Sequence, residues 1–414
     1  MATTTRLARV ALTKTQWIFL LLLVVSITIS YIDRGSLSVA DKFLQTEFSL
    51  NAEQRGRMYS SFFWSYAPAL VLVGWLVDRF NVNKVLGIGY VVWSAATLLT
   101  GAATGFGMLL MLRLVLGVGE SVTYPAYSKI LAGNLQEHQR GFANAAIDAG
   151  SKLGPALGLL VGGLLMDQYG WRVFFFVIGG LSLLWLIPWS IWAPKDVPRK
   201  VTPGVSAKMP SFGEILSKRA AWGTFIGLFC GNYVWYFIIS WLPSYFRNAL
   251  HYSQSDMAIF GSAPLFVLAA SSLASGWLSD RLIASGMSPN TVRKSFTGLG
   301  LGLSTVMFGA VLTRDPFWSL VSLCLACLAF GLYSSNLWAI TQTLGGTMAA
   351  GRWTGLQNAF GNISGMIGPW LTGWIVEKTG GFYVAFVVTT SLLVVGMLAF
   401  TVVIPKVEPV KWRD

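Results

Sequence analysis

Charge is scarce in this 414-residue chain: 11% of its residues are Asp, Glu, Lys or Arg, against 54% apolar ones. Soluble domains carry about 25% charged residues, so a soluble globular enzyme is set aside at once. Histidine is almost missing. The two present, His138 and His251, fall in loops expected on opposite sides and cannot share a site. The three cysteines, Cys230, Cys324 and Cys327, all lie inside apolar runs, which argues against a disulfide framework or a soluble redox centre. Cys324-x-x-Cys327 lacks a second ligand pair and reads as core packing, so neither a metal nor another cofactor is expected. Acidic residues number 17 against 30 basic ones, for a net charge of +13; where those charges lie decides what they mean.

Apolar residues fill the chain in twelve stretches, near 16–40, 57–77, 84–104, 107–132, 142–166, 172–193, 220–245, 257–283, 295–313, 317–344, 354–377 and 382–405. A hydrocarbon core about 30 Å thick needs about 20 helical residues, and lipid offers no partner to an open backbone. The expectation is an all-α membrane protein of twelve transmembrane helices. The 44 glycines and 18 tryptophans fit a helix bundle with aromatic interfaces. The first run, from Trp17 to about Val39, continues without a small-residue cleavage motif and is expected to be the first spanning helix.

With the N-terminus taken as cytoplasmic, nineteen Lys and Arg residues fall on the inner loops and tails. Only Lys42, Arg55, Arg57, Arg172, Arg247, Arg314 and Lys378 fall on the outer ones. This is the positive-inside bias, and it puts both termini in the cytoplasm. The basic character is topology, and no nucleic-acid partner is implied.

The longest polar interval, Ala193 to Lys218, is rich in proline and basic residues. It is expected to join an N-terminal six-helix bundle (1–193) to a C-terminal one (220–414) as a cytoplasmic linker (194–219). The halves share a signature. Gly74-Trp75-Leu76-Val77-Asp78-Arg79 recurs 202 residues later as Gly276-Trp277-Leu278-Ser279-Asp280-Arg281, at the equivalent helix junction. Such an internal duplication marks a parallel repeat. Glycine would permit close helix approach, and Asp78, Arg79, Asp280 and Arg281 are expected to act as conformation-dependent gates.

A charged side chain at bilayer depth is costly and therefore a functional candidate. The first half holds a compact set: Tyr31-Ile32-Asp33-Arg34, then Arg113-x-x-x-Gly117-x-x-Glu120, then Asp148-x-x-x-Lys152. Arg113 and Glu120 stand two turns apart on one helix face, with Gly117, Tyr124 and Tyr127 on the same stripe. Asp33 and Arg34, as neighbours, point about 100° apart. Asp33 is thus placed to pair with Arg113, leaving Arg34 for a ligand. Asp148 and Lys152, at i and i+4, either neutralise each other or present Lys152 to a cavity as a second cation. Asn232-Tyr233-Val234-Trp235-Tyr236 reads equally as a pocket wall or as packing.

The twelve stretches, the linker and the Gly-x-x-x-Asp-Arg loops resemble the major facilitator superfamily over the whole chain. Tyr31 to Arg34, Tyr66, and Arg113 to Glu120 resemble its anion:cation symporter branch, which includes bacterial proton-coupled transporters of galactonate, glucarate and hexuronates. The resemblance implies two pseudo-symmetric bundles. It implies that Arg34 holds a substrate carboxylate, with Tyr31, Tyr66, Ser335, Trp338 and Asn358 lining the pocket. Asp33 and Glu120 would carry protons, with Arg113 tuning Asp33. Ile147-Asp148-Ala149-Gly150 departs from the glutamine common in sugar-acid members, which weakens a claim to one particular sugar acid.

The residue chemistry agrees with those roles. A guanidinium offers a planar fork that fits a carboxylate bidentately and stays charged, whereas a carboxyl at bilayer depth is costly as an anion and suited to carrying a proton. The expected function is import of an organic anion, a sugar acid or related carboxylate, with protons by alternating access. The expected setting is a monomer in a bacterial cytoplasmic membrane. An aromatic or small hydroxy-acid carrier, or an anion exporter, remains open on the same scaffold. An intramembrane enzyme would need metal ligands or a nucleophile and base on facing helices, and no such pairing exists. A non-transporting sensor would dispense with Asp33 and Glu120.

Overall fold

The computed structural model describes residues 12–135, 137–196, 210–313 and 315–412. Among these, twelve long helices follow one another with no strand: α1 Lys14–Val39, α2 Ala52–Arg79, α3 Val82–Thr100, α4 Phe106–Leu131, α5 at 137–169 and α6 Trp171–Trp192 before the linker. After it come α7 Arg219–Asn248, α8 Gln254–Ala284, α9 Pro289–Leu312, α10 Pro316–Gly346, α11 at 347–379 and α12 Tyr383–Val403. Ten of the twelve are long and apolar enough to cross a membrane. The two that fall short, α2 and α11, are rich in serine, glycine, tyrosine and amide side chains, and they pack against each other across the middle of the molecule. Leu21, Leu72, Ile88, Met111, Leu181, Ile187 and Leu273 are each more than half exposed on the periphery, the position that acyl chains cover in a bilayer.

Helix ends follow local capping chemistry. Thr13 and Gln16 make a reciprocal capping box at the start of α1, and Asn51 with Gln54 makes another at the start of α2. The second box begins α2 five residues before the expected boundary. It draws Arg55 and Arg57 out of the loop to which the sequence reading assigns them. Arg247 is likewise the penultimate residue of α7. Between α10 and α11 the chain turns at Gly346, whose φ of 56° favours glycine.

Close helix contact depends on other glycines than those of the repeated signature. A Cβ on Gly74 would meet nothing within 4 Å, and one on Gly276 would meet only the Ser335 Cβ at 3.6 Å. By contrast, a Cβ on Gly154 of α5 would stand 2.6 Å from the Tyr31 Cβ and 2.7 Å from the Thr28 carbonyl of α1. One on Gly117 of α4 would land on the Phe62 carbonyl and the Ser65 hydroxyl of α2. These two crossings hold α1 against α5 and α2 against α4.

A set of hydrogen bonds crosses between the helices before and after the linker at one end. Among the described residues they include Ser38 Oγ to the Ile239 carbonyl at 2.7 Å, the Ala52 amide to Glu377 Oε2 at 2.7 Å, the Trp370 amide to Ser60 Oγ at 3.0 Å, and Ser255 Oγ to Asp167 Oδ2 at 2.6 Å. All lie on the face away from the linker, called here the far face.

Gly154→Ala is expected to force α1 and α5 apart and to lower stability by about 1–3 kcal/mol. Gly180→Ala on α6, where a Cβ meets nothing within 4 Å, is expected to be neutral or stabilising by up to about 1 kcal/mol. Thermal unfolding of both variants in one detergent checks the difference. Equal midpoints would show that the α1–α5 crossing yields freely.

Candidate functional site

A cavity of about 520 Å³ lies between the two sets of helices. It reaches from Arg34 and Tyr66 toward Asn144, Gln342 and Thr354, near the linker-side ends of α5, α10 and α11. The far-face hydrogen bonds close its other end.

Arg34 lines the cavity, and Glu120 is buried behind it. Arg34 Nε lies 2.6 Å from Glu120 Oε2, with the two side chains 5% and 0% exposed, and Ser30 Oγ donates to the same oxygen at 2.8 Å. The guanidinium carbon lies 4.5 Å from the ring centre of Tyr31, 4.8 Å from that of Phe62 and 4.9 Å from that of Tyr66. Three aromatic faces and one carboxylate therefore fix the cation in place. Two buried polar atoms are left over: Arg34 Nη2 and Glu120 Oε1 have no hydrogen-bond partner. Burying such groups unpaired is costly, and here one ion pair next to the cavity holds both an unpartnered donor and an unpartnered acceptor.

Asp33 and Arg113 differ from the expected pair. Arg113 donates to the main-chain carbonyl of Asp33, from Nη1 at 3.3 Å and Nη2 at 3.4 Å, rather than to the carboxylate. Both Asp33 carboxylate oxygens are buried without a well-aligned hydrogen bond, with the Thr97 hydroxyl beside them and Glu120 and Arg113 as charged neighbours. Facing directions explain the difference: α1 turns the Asp33 side chain toward α3, while Arg113 on α4 meets the backbone. Nor is Arg34 free for a ligand, since Glu120 holds its Nε. Two arginines and two carboxylates thus balance within a small volume.

Tyr31, Tyr66, Trp338 and Asn358 all line the cavity, as does Lys152. Ser335 does not. Its hydroxyl bonds back to the Leu332 carbonyl at 3.2 Å and accepts from Asn336 Nδ2 at 2.9 Å, against Gly276 of α8. Its neighbour Ser334 lines the cavity instead, because Ser334, Trp338 and Gln342 follow the four-residue step of one helix stripe. Lys152 Nζ bonds Asp148 Oδ2 at 2.6 Å, with the side chains 11% and 47% exposed, and both face the cavity. The two alternatives for Lys152, paired or cavity-facing, hold together. In the aromatic run of α7, Asn232, Trp235 and Tyr236 are wall, while Tyr233 and Val234 are packing.

Asn362 is a wall residue that sequence reasoning passed over. It accepts from the Tyr236 hydroxyl at 3.2 Å and donates to the Asn358 carbonyl at 3.0 Å. The spacing of Asn358 and Asn362, one helix turn, is the signal that could have found it.

The expected gate residues sit apart from the cavity. The Asp78 side chain lies outside the described residues, and Arg79 is exposed on the linker side. Asp280 is 3.8 Å from Arg293, and Arg281 lies over Trp277 at 5.1 Å, contacts within the second set of helices. Lys129 was not foreseen. Its Nζ donates to the Val77 carbonyl at 2.6 Å and caps the end of α2.

The family model of the Major Facilitator Superfamily matches residues 23–358. A probable chloroplastic anion transporter of Oryza sativa subsp. japonica is 31% identical over 410 residues, 94% of this chain and 68% of that protein. The D-galactonate transporter of Escherichia coli O6:H1 is 26% identical, covering 95% of this chain and 97% of its own. Among solved structures, a bacterial homolog of the human lysosomal transporter Spinster, in an inward-facing and unoccupied conformation, superposes with a TM-score of 0.75 at 20% identity, covering 95% of each chain.

Because Asp148 is half exposed, its bond to Lys152 is worth about 1 kcal/mol or less. Lys152→Met, Asp148→Leu and the double variant are each expected to fold with thermal stability within about 1 kcal/mol of wild type. Unfolding of either single variant with recovery in the double one would reveal a strongly coupled buried pair.

Proposed function

The chain belongs to the Major Facilitator Superfamily, and from that premise we propose that it carries an organic carboxylate together with protons by alternating access. That it is a multi-pass membrane transporter, not an enzyme, follows from the family; substrate, coupling and direction are the proposal. One observation carries it: cavity-lining Arg34 is paired with the buried Glu120 behind it, with Arg34 Nη2 and Glu120 Oε1 unpartnered.

In this reading a substrate carboxylate competes with Glu120 for Arg34. Protonation of Glu120 weakens its hold, and the guanidinium turns its fork to the incoming anion. The proton then compensates the charge that the substrate brings. Asp33 is the second proton carrier, and Arg113, against its carbonyl, tunes it. Tyr31 and Tyr66 flank the carboxylate end.

The opposite wall supports a hydroxylated substrate. Asn232, Ser334, Gln342, Asn358 and Asn362 offer neutral donors and acceptors of the kind that pair with sugar hydroxyls, and Trp338 supplies an apolar face. A sugar acid fits this division, and the galactonate relative agrees with it. Lys152, with its charge answered by Asp148, contributes a donor rather than a second net cation, which favours a monoanion. The tyrosines and tryptophans on the wall also favour a second reading, an aromatic or small hydroxy-acid carrier. Residues 1–193 and 220–414 would move as two units about the linker 194–219, with the Asp78/Arg79 and Asp280/Arg281 loops gating the linker side. The topology proposed is a monomer with both termini in the cytoplasm, in a bacterial cytoplasmic membrane.

Arg34→Ala is expected to abolish binding of an organic acid, and Arg34→Lys to restore only part of it, because lysine keeps the charge and loses the bidentate fork. Binding is read by thermal shift against a panel of mono- and dicarboxylates. Wild-type affinity in Arg34→Ala would remove the anchor.

Glu120→Gln mimics the protonated acid. It is expected to stop accumulation driven by a pH gradient while leaving substrate exchange across proteoliposomes at least partly intact. Uphill accumulation in this variant would take Glu120 out of the coupling step.

A further inference from the structure

Buried charge concentrates at one more place, on the far face. Asp41 sits in a short helix, Asp41–Phe48, just after α1. One of its carboxylate oxygens, Oδ2, accepts from Arg55 Nη1 at 2.5 Å and from Arg247 Nη2 at 3.0 Å. Tyr59 donates its hydroxyl to the other oxygen. The three charged side chains are 0–4% exposed. Arg55 also donates to Ser244 Oγ at 3.2 Å and lies over the Trp241 ring at 5.4 Å. Gln254, which accepts from Arg247 Nη1 at 3.4 Å, donates to the Val39 carbonyl at 3.3 Å. Asp41, Arg55 and Tyr59 precede the linker; Ser244, Arg247 and Gln254 follow it. The cluster therefore binds the two halves across their seam.

We propose that Asp41, Arg55 and Arg247 form a latch that holds the far face shut and that breaks each time the protein opens on that face. The proposal rests on the alternating-access reading above but not on the identity of the substrate. Its logic is an odd charge count, two cations on one carboxylate. When the seam parts, Asp41 keeps Arg55, its neighbour within the same half, and that pair stays neutral. Arg247 alone is released, into the water of the opening mouth. No unpaired charge is left buried on either side, so the costly outcome of splitting a buried pair is avoided. A single Asp–Arg pair across the seam would leave a lone carboxylate behind. Because a buried ion pair returns little net free energy over its desolvation cost, the latch closes the face without locking it.

The same arithmetic selects the test. Arg247→Gln leaves the neutral Asp41–Arg55 pair in place and removes only the link across the seam. Spin labels on the exposed residues Gln45 and Ala249 report the width of the far mouth, and labels on Asn81 and Ser288 report the linker side. Both are read by pulsed dipolar spectroscopy in nanodiscs, in a background lacking Cys230, Cys324 and Cys327. In Arg247→Gln the far-open population is expected to rise about tenfold from a minor state, with the linker-side distance shortening in step. The swap of Asp41→Arg with Arg247→Asp, which restores one acid and two bases across the seam, is expected to return the closed far face. A folded Arg247→Gln variant with wild-type distances overturns the latch. If Arg247→Gln does not fold, the swap decides: a folded swap with a closed far face supports the latch, and a swap that fails to fold or stands open overturns it. No substrate is needed for this readout, so a wrong substrate assignment leaves it standing.

Discussion

Taking a charge out of water costs several kcal/mol even after relaxation, and the architecture of the first half can be understood as the management of that cost. Arg34, Arg113, Asp33 and Glu120 are brought within one small volume by α1 and α4, two cations against two anions. The Arg34–Glu120 contact ties those helices together beside the cavity. Tyr31, Phe62 and Tyr66 surround the guanidinium; Tyr31 comes from the same helix as Arg34, and Phe62 and Tyr66 from α2, which Gly117 lets pack closely on α4. The site is thus the packing of four helices around a balanced set of charges.

The second half contributes something different. Its share of the cavity wall is formed by amides, hydroxyls, aromatic rings and leucines, with no Asp, Glu, Lys or Arg among the described lining residues. Charged and neutral lining are therefore divided between the helices before and after the linker. A ligand that engages both must draw them together, which is the differential contact a conformational change requires.

Polar contacts across the seam are unevenly placed. Those described lie on the far face, from Ser38 with Ile239 to Asp41 with Arg247, while the cavity extends toward the linker side. Water can replace such hydrogen bonds and ion pairs when the seam parts, whereas the close glycine crossings there, Gly56 against Pro369 and Gly373 against Ala52, have to separate.

The sequence alone determined that the chain crosses a membrane as helices, because bilayer thickness and backbone hydrogen bonding leave few other choices for such apolar runs. It also determined the repeat, through the two G-W-L-x-D-R copies, and it singled out Arg34 and Glu120, since charges at that depth are rarely idle. Only the tertiary structure decided which charges meet. Arg113 faces a backbone carbonyl rather than the Asp33 carboxylate, Ser334 replaces Ser335 on the cavity wall, and Arg55 and Arg247, counted as loop charges, are buried against Asp41. The reason is geometric. A step of one residue turns a helical side chain by about 100°, and a capping residue such as Asn51 moves a helix start by more than a turn. Partners 206 positions apart in the chain are set by helix crossings that no local pattern records.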